Sequence, residues 1–449
     1  MFRSIAQVSA TDKLHVAVVG SGPAGFYAAA ALLASDLDVE VDMIERLPTP
    51  WGLVRLGVAP DHPNIKSVSR AFEKTALNPG FRFFGNVEVG KDVEHNELMR
   101  LYDAVVYSVG AQTDRELGIP GEDLPGSWPA TAFVAWYNGH PDFQHLSFNL
   151  SGERAVVIGN GNVALDVARM LALAPEELAP TDTTDAAIEA INGSGIREIL
   201  VLGRRGPVQA AWTPVEVGEL GELAAADVIV DPADLELDPA SEAELAAAAP
   251  TVRRSIDHLR DYASREPSGK PRVIRLRFLS SPVALLGDEK VEAIELVRNE
   301  LVDGRAVATG VRETIDCGIV FRSVGYQGVP LPGVPFDERS RTIPNEGGRV
   351  EPGLYAAGWI KRGPSGVIGT NKKDATETVQ LLLADARAGL LSRADEGPLE
   401  QLLEARGVEA VLYAGWEAID QAERAAGEPH GRPRIKLHSW DELLAAAAK

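Results

Sequence analysis

The sequence contains very little cysteine. Its single cysteine, Cys317, excludes a disulfide within the chain and also a CxxC redox pair. Iron–sulfur centres held by clusters of cysteine thiolates are excluded for the same reason. Because free cysteine is among the most buried residue types and Cys317 opens an apolar stretch, we expect it to be a packed structural thiol.

Long apolar runs are also lacking. No stretch approaches the ~20 apolar residues that a membrane-spanning helix needs. The amino-terminal residues MFRSIAQVSATDKLHVAVVG lack the basic region, apolar core and small-residue cleavage site of a signal peptide, and their first apolar run leads into a strand. These absences predict a cytoplasmic protein without membrane insertion.

Basic residues are scarce. Lysine and arginine number 44 against 65 aspartates and glutamates, which gives a formal charge of −21. A charge this negative argues against nucleic acid and against anionic membranes as partners. The 449 residues exceed what one ordinary core organises, so at least two domains are expected.

A strand, a glycine-rich turn and a helix occur together twice, in residues 14–45 and 154–205. Nearly continuous apolar strands that alternate with helices indicate parallel sheets covered on both faces. The segment YDAVVYSVG (102–110) is echoed by CGIVFRSVG (317–325), as if the chain left one domain and returned to it. We therefore predict an α/β fold of two Rossmann-like three-layer domains, the second inserted in the first, with boundaries 1–110, 111–325 and 326–449.

Three further segments have recognisable patterns. The Ala/Glu-rich stretch 236–266 predicts mostly helix, and residues 272–301 read as hairpin-like strands. A helix is expected to begin near Thr370, after a glycine-rich segment.

The first glycine turn has the pattern GxGxxG, formed by Gly20, Gly22 and Gly25, directly after a strand and at the start of a helix. Such a turn lets a pyrophosphate approach the backbone N–H groups of the helix N-terminus. Glu45 ends the next strand, where a carboxylate accepts hydrogen bonds from both ribose hydroxyls. Because this acid would repel a 2′-phosphate, the turn is predicted to bind FAD or NAD rather than NADP.

The second glycine turn, residues 159–164, has the variant pattern GxGxxA. The strand that follows its helix ends in Arg204 and Arg205, with no acid at this position. Paired guanidinium groups here are typical of a site for the 2′-phosphate of NADP. Two solvated arginines on a loop are the alternative. Opposite ribose chemistry in one chain predicts that FAD and NADPH bind together and exchange hydride.

Longer motifs then identify a family. They include PTPWGLVR (48–55), GVAPDHP (57–63), GNVEV (85–89), GNGNVALD (159–166) and GWIKRGPSGVIGTNK (358–372). With these motifs the chain resembles the adrenodoxin-reductase-like branch of the NADPH–ferredoxin reductases, most closely the actinobacterial ferredoxin/NADP reductases. The resemblance covers residues 14–380 and again about 415–437.

The resemblance implies cofactor contacts residue by residue. Beside the glycines of the first turn, the implied FAD contacts are Ala24, Glu45, Leu53, Val89, Trp359, Gly366, Val367 and Ile368. The implied NADP contacts are Asn160, Gly161, Asn162, Val163, Arg204, Arg205, Glu216 and Gly366, with Arg115 as a further candidate. His62 and Glu219 match polar residues near the flavin and are the candidates for proton delivery or tuning. No metal site is expected.

The implied activity is hydride transfer from NADPH to FAD, followed by single-electron transfer to a ferredoxin, by a monomer or weak dimer. A glycine at Gly366 would leave room for two stacked rings. A diaphorase or quinone reductase that uses small acceptors stays open as an alternative. An input subunit like that of glutamate synthase is excluded by the single cysteine, and a nucleotide-sensing module without catalysis is a further rival.

The docking site for the ferredoxin is left open. Relatives often carry basic residues beside the counterpart of Glu216, whereas here the neighbours are Val215 and Gly218. The remaining basic candidates are Lys361, Arg362, Lys372, Lys373, Arg253 and Arg254.

Overall fold

The computed structural model describes residues 6–7, 13–394 and 397–449. The expectation that the amino-terminal segment is no signal peptide falls largely on residues 1–5 and 8–12, which lie outside the described residues. None of the described helices is both long and apolar enough to cross a membrane.

The first sheet is built around the strand that precedes the first glycine turn. It is parallel except at one edge, where the first two strands run antiparallel. In spatial order its strands are Arg349–Glu351, Leu354–Ala356, Ala104–Tyr107, Leu14–Val19, Val39–Ile44 and Phe81–Phe84. Apart from the edge strand Arg349–Glu351, these strands have mostly buried side chains on both faces, as expected for continuous apolar strands between helices.

The second sheet is parallel throughout. In spatial order its strands are Ala226–Val230, Arg272–Arg277, Glu198–Leu202, Arg154–Ile158, Ile319–Arg322 and Ser127–Pro129. A separate antiparallel sheet consists of Ser280–Leu286, Ala293–Val302 and Arg305–Asp316. The prediction of hairpin strands over 272–301 is therefore wrong at its start, because Arg272–Arg277 is a parallel strand of the main sheet.

Helices cover both large sheets. Their bounds are Pro23–Leu33, Leu53–Leu56, Pro63–Lys66, Ser69–Ala76, His95–Leu101, Ala130–Tyr137, Asn162–Ala172, Pro175–Leu178, Asp185–Asn192, Pro214–Glu219, Pro239–Ala247, Pro250–Ser264, Trp359–Arg362, Thr370–Arg387, Leu399–Ala405, Tyr413–Gly427 and Trp440–Ala447. The predicted helices in 236–266 and from Thr370 are confirmed. Cys317 is buried, and burial raises the pKa of its thiol to about 12, as expected for a structural thiol.

Two short strands mark the places where the chain passes between the sheets. Thr113–Asp114 pairs antiparallel with Tyr326–Gln327, so the outgoing and returning segments lie side by side. We call this pair the crossing strands. The echoed segments supply the strands just before each crossing, Ala104–Tyr107 and Ile319–Arg322. This arrangement supports the proposed boundaries near residues 110 and 325, which stay a prediction.

The carboxy-terminal segment ties the two sheets together through buried charges. Lys436, whose side chain is 1% exposed, lies 3.2 Å from a carboxylate oxygen of Asp182 and donates to the carbonyl of Arg55. Lys66 donates to both oxygens of Asp182 at 2.6 and 2.9 Å. Burial alone would raise the pKa of Asp182, but the two ammonium groups lower it below its usual range. Asp182 is thus the counter-charge of two buried lysines.

Replacing Asp182 by asparagine should destabilise the protein by about 3 kcal/mol, because two buried ammonium groups would lose their partner. The loss is measured by denaturant unfolding of the flavin-loaded protein near neutral pH. Because the folded-state pKa is lowered, the stability from Asp182 is present above its usual pKa of 3.8 and is lost as pH falls below it. Asp257→Asn is the control, since that carboxylate is 72% exposed and its partner Arg260 is 56% exposed. Equal stability of the two variants would contradict the assignment.

Candidate functional site

The first glycine turn is shaped by close packing at two of its glycines. Gly20 has a φ of +100°, and a Cβ added there would lie 2.8 Å from the carbonyl oxygen of Ser108. A Cβ on Gly25 would lie 2.1 Å from the carbonyl oxygen of Gly20. These two glycines are required by the protein's own packing between strand and helix.

Gly22 is different, because a Cβ added there would meet no protein atom within 4 Å. Its φ of −73° is accessible to any residue. It precedes the helix Pro23–Leu33, whose N-terminus has no side-chain cap among the described residues. Open space next to unpaired backbone N–H donors at a helix N-terminus fits a pyrophosphate.

Glu45 is held against this turn. Its Oε2 accepts from the backbone N–H of Ser21 at 3.0 Å and from the Ser21 hydroxyl at 2.7 Å, and its Oε1 accepts from the N–H of Leu47 at 3.0 Å. The carboxylate therefore lies beside the glycine turn, at the end of the adjacent strand, as the spacing predicted. This position fits a ribose.

The glycine-rich segment near the carboxy terminus packs against the first turn. A Cβ on Gly358 would lie 2.5 Å from the Cβ of Ala24, so Trp359 follows immediately beside the turn. The ring of Trp359 lies 5.3 Å from that of Tyr326. Leu53 begins a short helix after Gly52, which itself approaches the Cα of Gly22.

Gly366 has a structural role that the sequence interpretation missed. Its φ is +83°, and an added Cβ would lie 2.6 Å from the hydroxyl oxygen of Thr370. The same hydroxyl accepts the N–H of Val367, so the turn before the helix Thr370–Arg387 itself requires a glycine. Val367 is 58% exposed, and Ile368 packs on the core that covers one face of the first sheet. Val89 is buried in the core on the other face of that sheet.

The second glycine turn repeats this design. Gly159 has a φ of +138°, and its added Cβ would lie 2.1 Å from the carbonyl oxygen of Ser323, whereas one on Gly161 meets nothing within 4 Å. Ala164, fully buried, takes the place of the third glycine. The helix Asn162–Ala172 has no side-chain cap among the described residues, so its N–H groups are available to a second pyrophosphate.

The two arginines follow the neighbouring strand. Arg204 is exposed and Arg205 is half-buried, and neither forms an ion pair with any described residue. Arg205 donates from Nη2 to the carbonyl of Gln209 at 3.2 Å. The side chain of Asn160 contacts Gly203, which brings the turn close to the arginines. Guanidinium groups that have no carboxylate partner at this position fit a 2′-phosphate.

Arg115 directly follows the crossing strand Thr113–Asp114 and is not part of the second glycine turn. Its side chain is exposed, and its backbone N–H donates to the carbonyl of Gly325 at 3.0 Å. It lies on the segment that joins the two sheets.

His62 and Glu219 meet at the interface between the two sheets. Nε2 of His62 lies 2.8 Å from Oε2 of Glu219 and 3.7 Å from Oε2 of Glu216. Asp61, Asp166 and Arg169 complete a group that we call the junction cluster, which comprises Asp61, His62, Asp166, Arg169, Glu216 and Glu219.

Burial controls the charge state of this cluster. Burial, with the charge of Glu216 added, raises the pKa of Asp166 well above its usual range. Burial also raises the pKa of Glu216. For Arg169, burial lowers the pKa but the surrounding carboxylates more than offset this, so its pKa is raised and it stays charged. Strongly shifted carboxyl groups at an interface are typical of a functional site.

Atoms of His62, Glu216 and Glu219 lie within 4.8 Å of one another, a spacing that could hold a metal ion. However, Arg169 already donates to Glu219, so the positive charge at this position is supplied by the protein. We therefore assign no metal here.

The sequence interpretation missed Arg169. It lies one turn after Asp166 on an otherwise apolar helix, and these two charges on a buried face were the available signal.

Asp114, on the crossing strands, should titrate near neutral pH. Burial raises its pKa from 3.8 to about 6, against hydrogen bonds from Thr131. Because the pKa is raised in the folded state, Asp114 contributes favourably to the free energy of unfolding below pH 3.8. This contribution is lost as the pH rises through about 6. Asp114→Asn keeps the acceptor and should stabilise the protein at pH ~8 by about 2 kcal/mol.

The stability gained by Asp114→Asn should disappear at pH ~4, where the side chain at position 114 is neutral in both folded proteins. Thermal unfolding of both proteins across this range measures the difference. If the wild type is more stable than Asp114→Asn at the alkaline end of this range, burial does not raise the pKa of Asp114.

Comparison with known proteins identifies the family. The pyridine nucleotide-disulphide oxidoreductase family matches residues 14–191. NADPH-ferredoxin reductase FprA of Mycobacterium tuberculosis (strain ATCC 25618 / H37Rv) is 56% identical, with coverage of 96% of this chain and 98% of that protein. The mitochondrial NADPH:adrenodoxin oxidoreductase of Arabidopsis thaliana is 42% identical, with coverage of 97% and 95%.

A solved structure of M. tuberculosis FprA in complex with NADPH superposes with a TM-score of 0.92 at 54% identity and covers 98% of this chain and 100% of that one. These similarities confirm the predicted α/β fold and the predicted kind of enzyme. These relatives match nearly the whole chain, and the side chains beside the two glycine turns have opposite charges. The chain therefore belongs to the adrenodoxin-reductase-like family of NADPH–ferredoxin reductases.

Proposed function

We propose that the protein oxidises NADPH and passes the electrons through bound FAD to a ferredoxin-type iron–sulfur protein. The observation that most strongly supports this proposal is that the two open glycine turns have opposite charges beside them. Glu45 lies at the first turn, and Arg204 with Arg205 at the second. FAD held at the first turn would supply the chemistry that couples a two-electron donor to one-electron acceptors. The polypeptide supplies binding, alignment and charge.

In this proposal the first turn and its neighbours hold FAD. These residues are Gly20, Gly22, Ala24, Gly25, Glu45, Leu53, Val89, Trp359, Gly366, Val367 and Ile368. The second turn and the arginines hold NADP(H) through Asn160, Gly161, Asn162, Val163, Arg204, Arg205 and Glu216, with Gly366 shared and Arg115 nearby. The FAD domain comprises 1–110 and 326–449, and the NADP domain comprises 111–325.

His62 and Glu219 come from the two different domains of this proposal, and they hold a proton between them at the interface where the two cofactors would meet. Hydride transfer itself requires no general acid. Their contribution is therefore to hold or deliver a proton and to set the local charge.

Ferredoxin docking needs exposed positive charge. Lys361 is buried, its Nζ lying 3.1 Å from Asp374, and Arg362 is bound to Asp374 and Asn371. These two candidates are therefore internal. Lys372 and Lys373 are exposed at the start of the helix that follows Gly366–Ile368. Because this segment lies beside the proposed flavin site, we propose that they dock the acidic partner.

Replacing both Lys372 and Lys373 by glutamate should raise the KM for an acidic ferredoxin about 10-fold at low salt and should reduce its salt dependence. Reduction of a small acceptor such as ferricyanide should stay unchanged, since no docking is involved. Steady-state assays with both acceptors measure this.

Two comparisons sharpen that experiment. Lys74→Glu combined with Lys290→Glu, two exposed lysines outside the proposed docking site, matches the change in net charge. Arg253→Glu with Arg254→Glu tests the exposed face of the helix Pro250–Ser264. If only the arginine pair raises the KM for ferredoxin, the docking site lies on that helix and the lysine proposal is wrong.

The function itself is tested by NADPH-driven reduction of cytochrome c with and without a panel of ferredoxins. We expect strong stimulation by at least one ferredoxin. Flavin reduction by NADPH without stimulation by any of them would instead favour a diaphorase or quinone reductase with small acceptors.

A further inference from the structure

Arg169 joins the two sides of the junction cluster. It lies on the helix Asn162–Ala172, its side chain is 5% exposed, and it reaches across the interface to the loop that carries Asp61 and His62. Nothing in the proposed hydride transfer requires an arginine at this position, so its contacts call for a separate explanation.

The guanidinium group contacts both members of the His62–Glu219 pair. Its Nη1 donates to Oε2 of Glu219 at 2.5 Å, and its Nη2 lies 3.3 Å from Nδ1 of His62. Asp61 and Asp166 balance its charge, with Nε 3.2 Å from Asp61 Oδ2 and Nη2 3.3 Å from Asp166 Oδ1. Nη2 also lies 3.3 Å from Oδ1 of Asp61, while Nε has the ion pair with Asp61 but no hydrogen bond among the described residues.

These contacts determine which nitrogen of His62 carries the proton. A guanidinium group only donates hydrogen bonds, so Nδ1 of His62 must accept and is unprotonated. The proton of the neutral ring is then on Nε2, which donates to Glu219 at 2.8 Å.

Arg169 also determines which carboxylate receives that proton. Oε2 of Glu216 lies 3.7 Å from Nε2 of His62 and has no hydrogen-bond partner among the described residues. Glu219 is held closer because Arg169 binds the same oxygen that accepts from the ring. Without this arginine, two neighbouring carboxylates would be available to one N–H group.

We propose that Arg169 is the positioning residue of the junction cluster, which holds His62 as its Nε2–H tautomer and selects Glu219 over Glu216 as the acceptor. The proton is thereby kept at one defined place on the interface between the two domains. The inference about the tautomer stands on the contacts themselves, whereas its consequence for the reaction rests on the proposed function.

The direct test is nitrogen NMR of the FAD-loaded protein labelled with ¹⁵N in histidine, with His62→Gln to assign the resonance. We expect His62 to be protonated at Nε2 and unprotonated at Nδ1. Protonation at Nδ1 in the wild type would overturn the proposal.

Arg169→Lys keeps the charge but cannot donate to both partners from a planar group. We expect mixed tautomers of His62 and a fall of about 10-fold in flavin reduction at saturating NADPH, with KM for NADPH unchanged. Arg169→Met combined with Asp61→Asn removes the two members of one ion pair, and this double variant is used where the single variant is unstable. Arg154→Lys, an arginine paired with Glu198 on a strand of the same domain, is the control.

An unchanged tautomer in both Arg169 variants would overturn the proposal. If the tautomer is as expected but NADPH does not reduce the flavin, the proposed function fails while the assignment of Arg169 stands. If the tautomer changes and the rate does not, the selection of Glu219 has no part in the reaction, and the positioning role is overturned.

Discussion

Gly22→Ala should give a stably folded protein that purifies without FAD. The added methyl group meets no protein atom within 4 Å, and the backbone at φ −73° suits alanine, so the fold is expected to be unaffected. The methyl group would instead occupy the space where a pyrophosphate approaches the N–H groups of the helix. Losing two charge-assisted hydrogen bonds would weaken FAD binding about 10³-fold.

Gly25→Ala is the informative comparison, because its Cβ would lie 2.1 Å from the carbonyl oxygen of Gly20. That variant should lose both stability and flavin, whereas Gly22→Ala should lose flavin alone. The measurements are the flavin absorbance per protein and the unfolding midpoint without FAD. Full flavin content in Gly22→Ala would show that the first turn does not hold the pyrophosphate.

The double variant Arg204→Ala with Arg205→Ala should lose its preference for NADPH. We expect kcat/KM for NADPH to fall about 10³-fold, because a phosphate dianion loses two guanidinium partners. The value for NADH, which has no 2′-phosphate, should change little. Steady-state assays with both nucleotides and a small acceptor measure this difference.

Arg197→Ala combined with Arg339→Ala, two exposed arginines, is the matched control for the loss of two charges. Arg197 precedes the same strand, Glu198–Leu202, that Arg204 and Arg205 follow, so it lies at the opposite edge of the sheet. Replacing Arg197 and Arg339 should leave both nucleotides unaffected. A double variant that still prefers NADPH would contradict the assignment of the second site.

Local patterns made much of the site predictable. A glycine turn depends on a few consecutive residues, and the next strand ends at a nearly fixed distance, so Glu45 and Arg204 could be placed from spacing alone. The closeness of His62 and Glu219 was suggested only by the family resemblance, because the two residues are 157 positions apart.

Contacts between distant segments were not predictable in this way. Arg169 in the junction cluster and Asp182 between two lysines depend on how the two sheets face each other, and no local pattern reports this. The strand Arg272–Arg277 was misread because its buried and half-buried residues alternate, which is typical of a hairpin, although it is parallel to both neighbours.

The central claim is that FAD and NADPH meet in this protein. Its most direct test is anaerobic mixing of the purified protein with NADPH or NADH while the visible flavin absorbance is followed. The account predicts bound flavin that NADPH bleaches quickly and NADH slowly, with the colour restored when a ferredoxin is added. A protein that contains no flavin, or one that both nucleotides reduce equally fast, would contradict it.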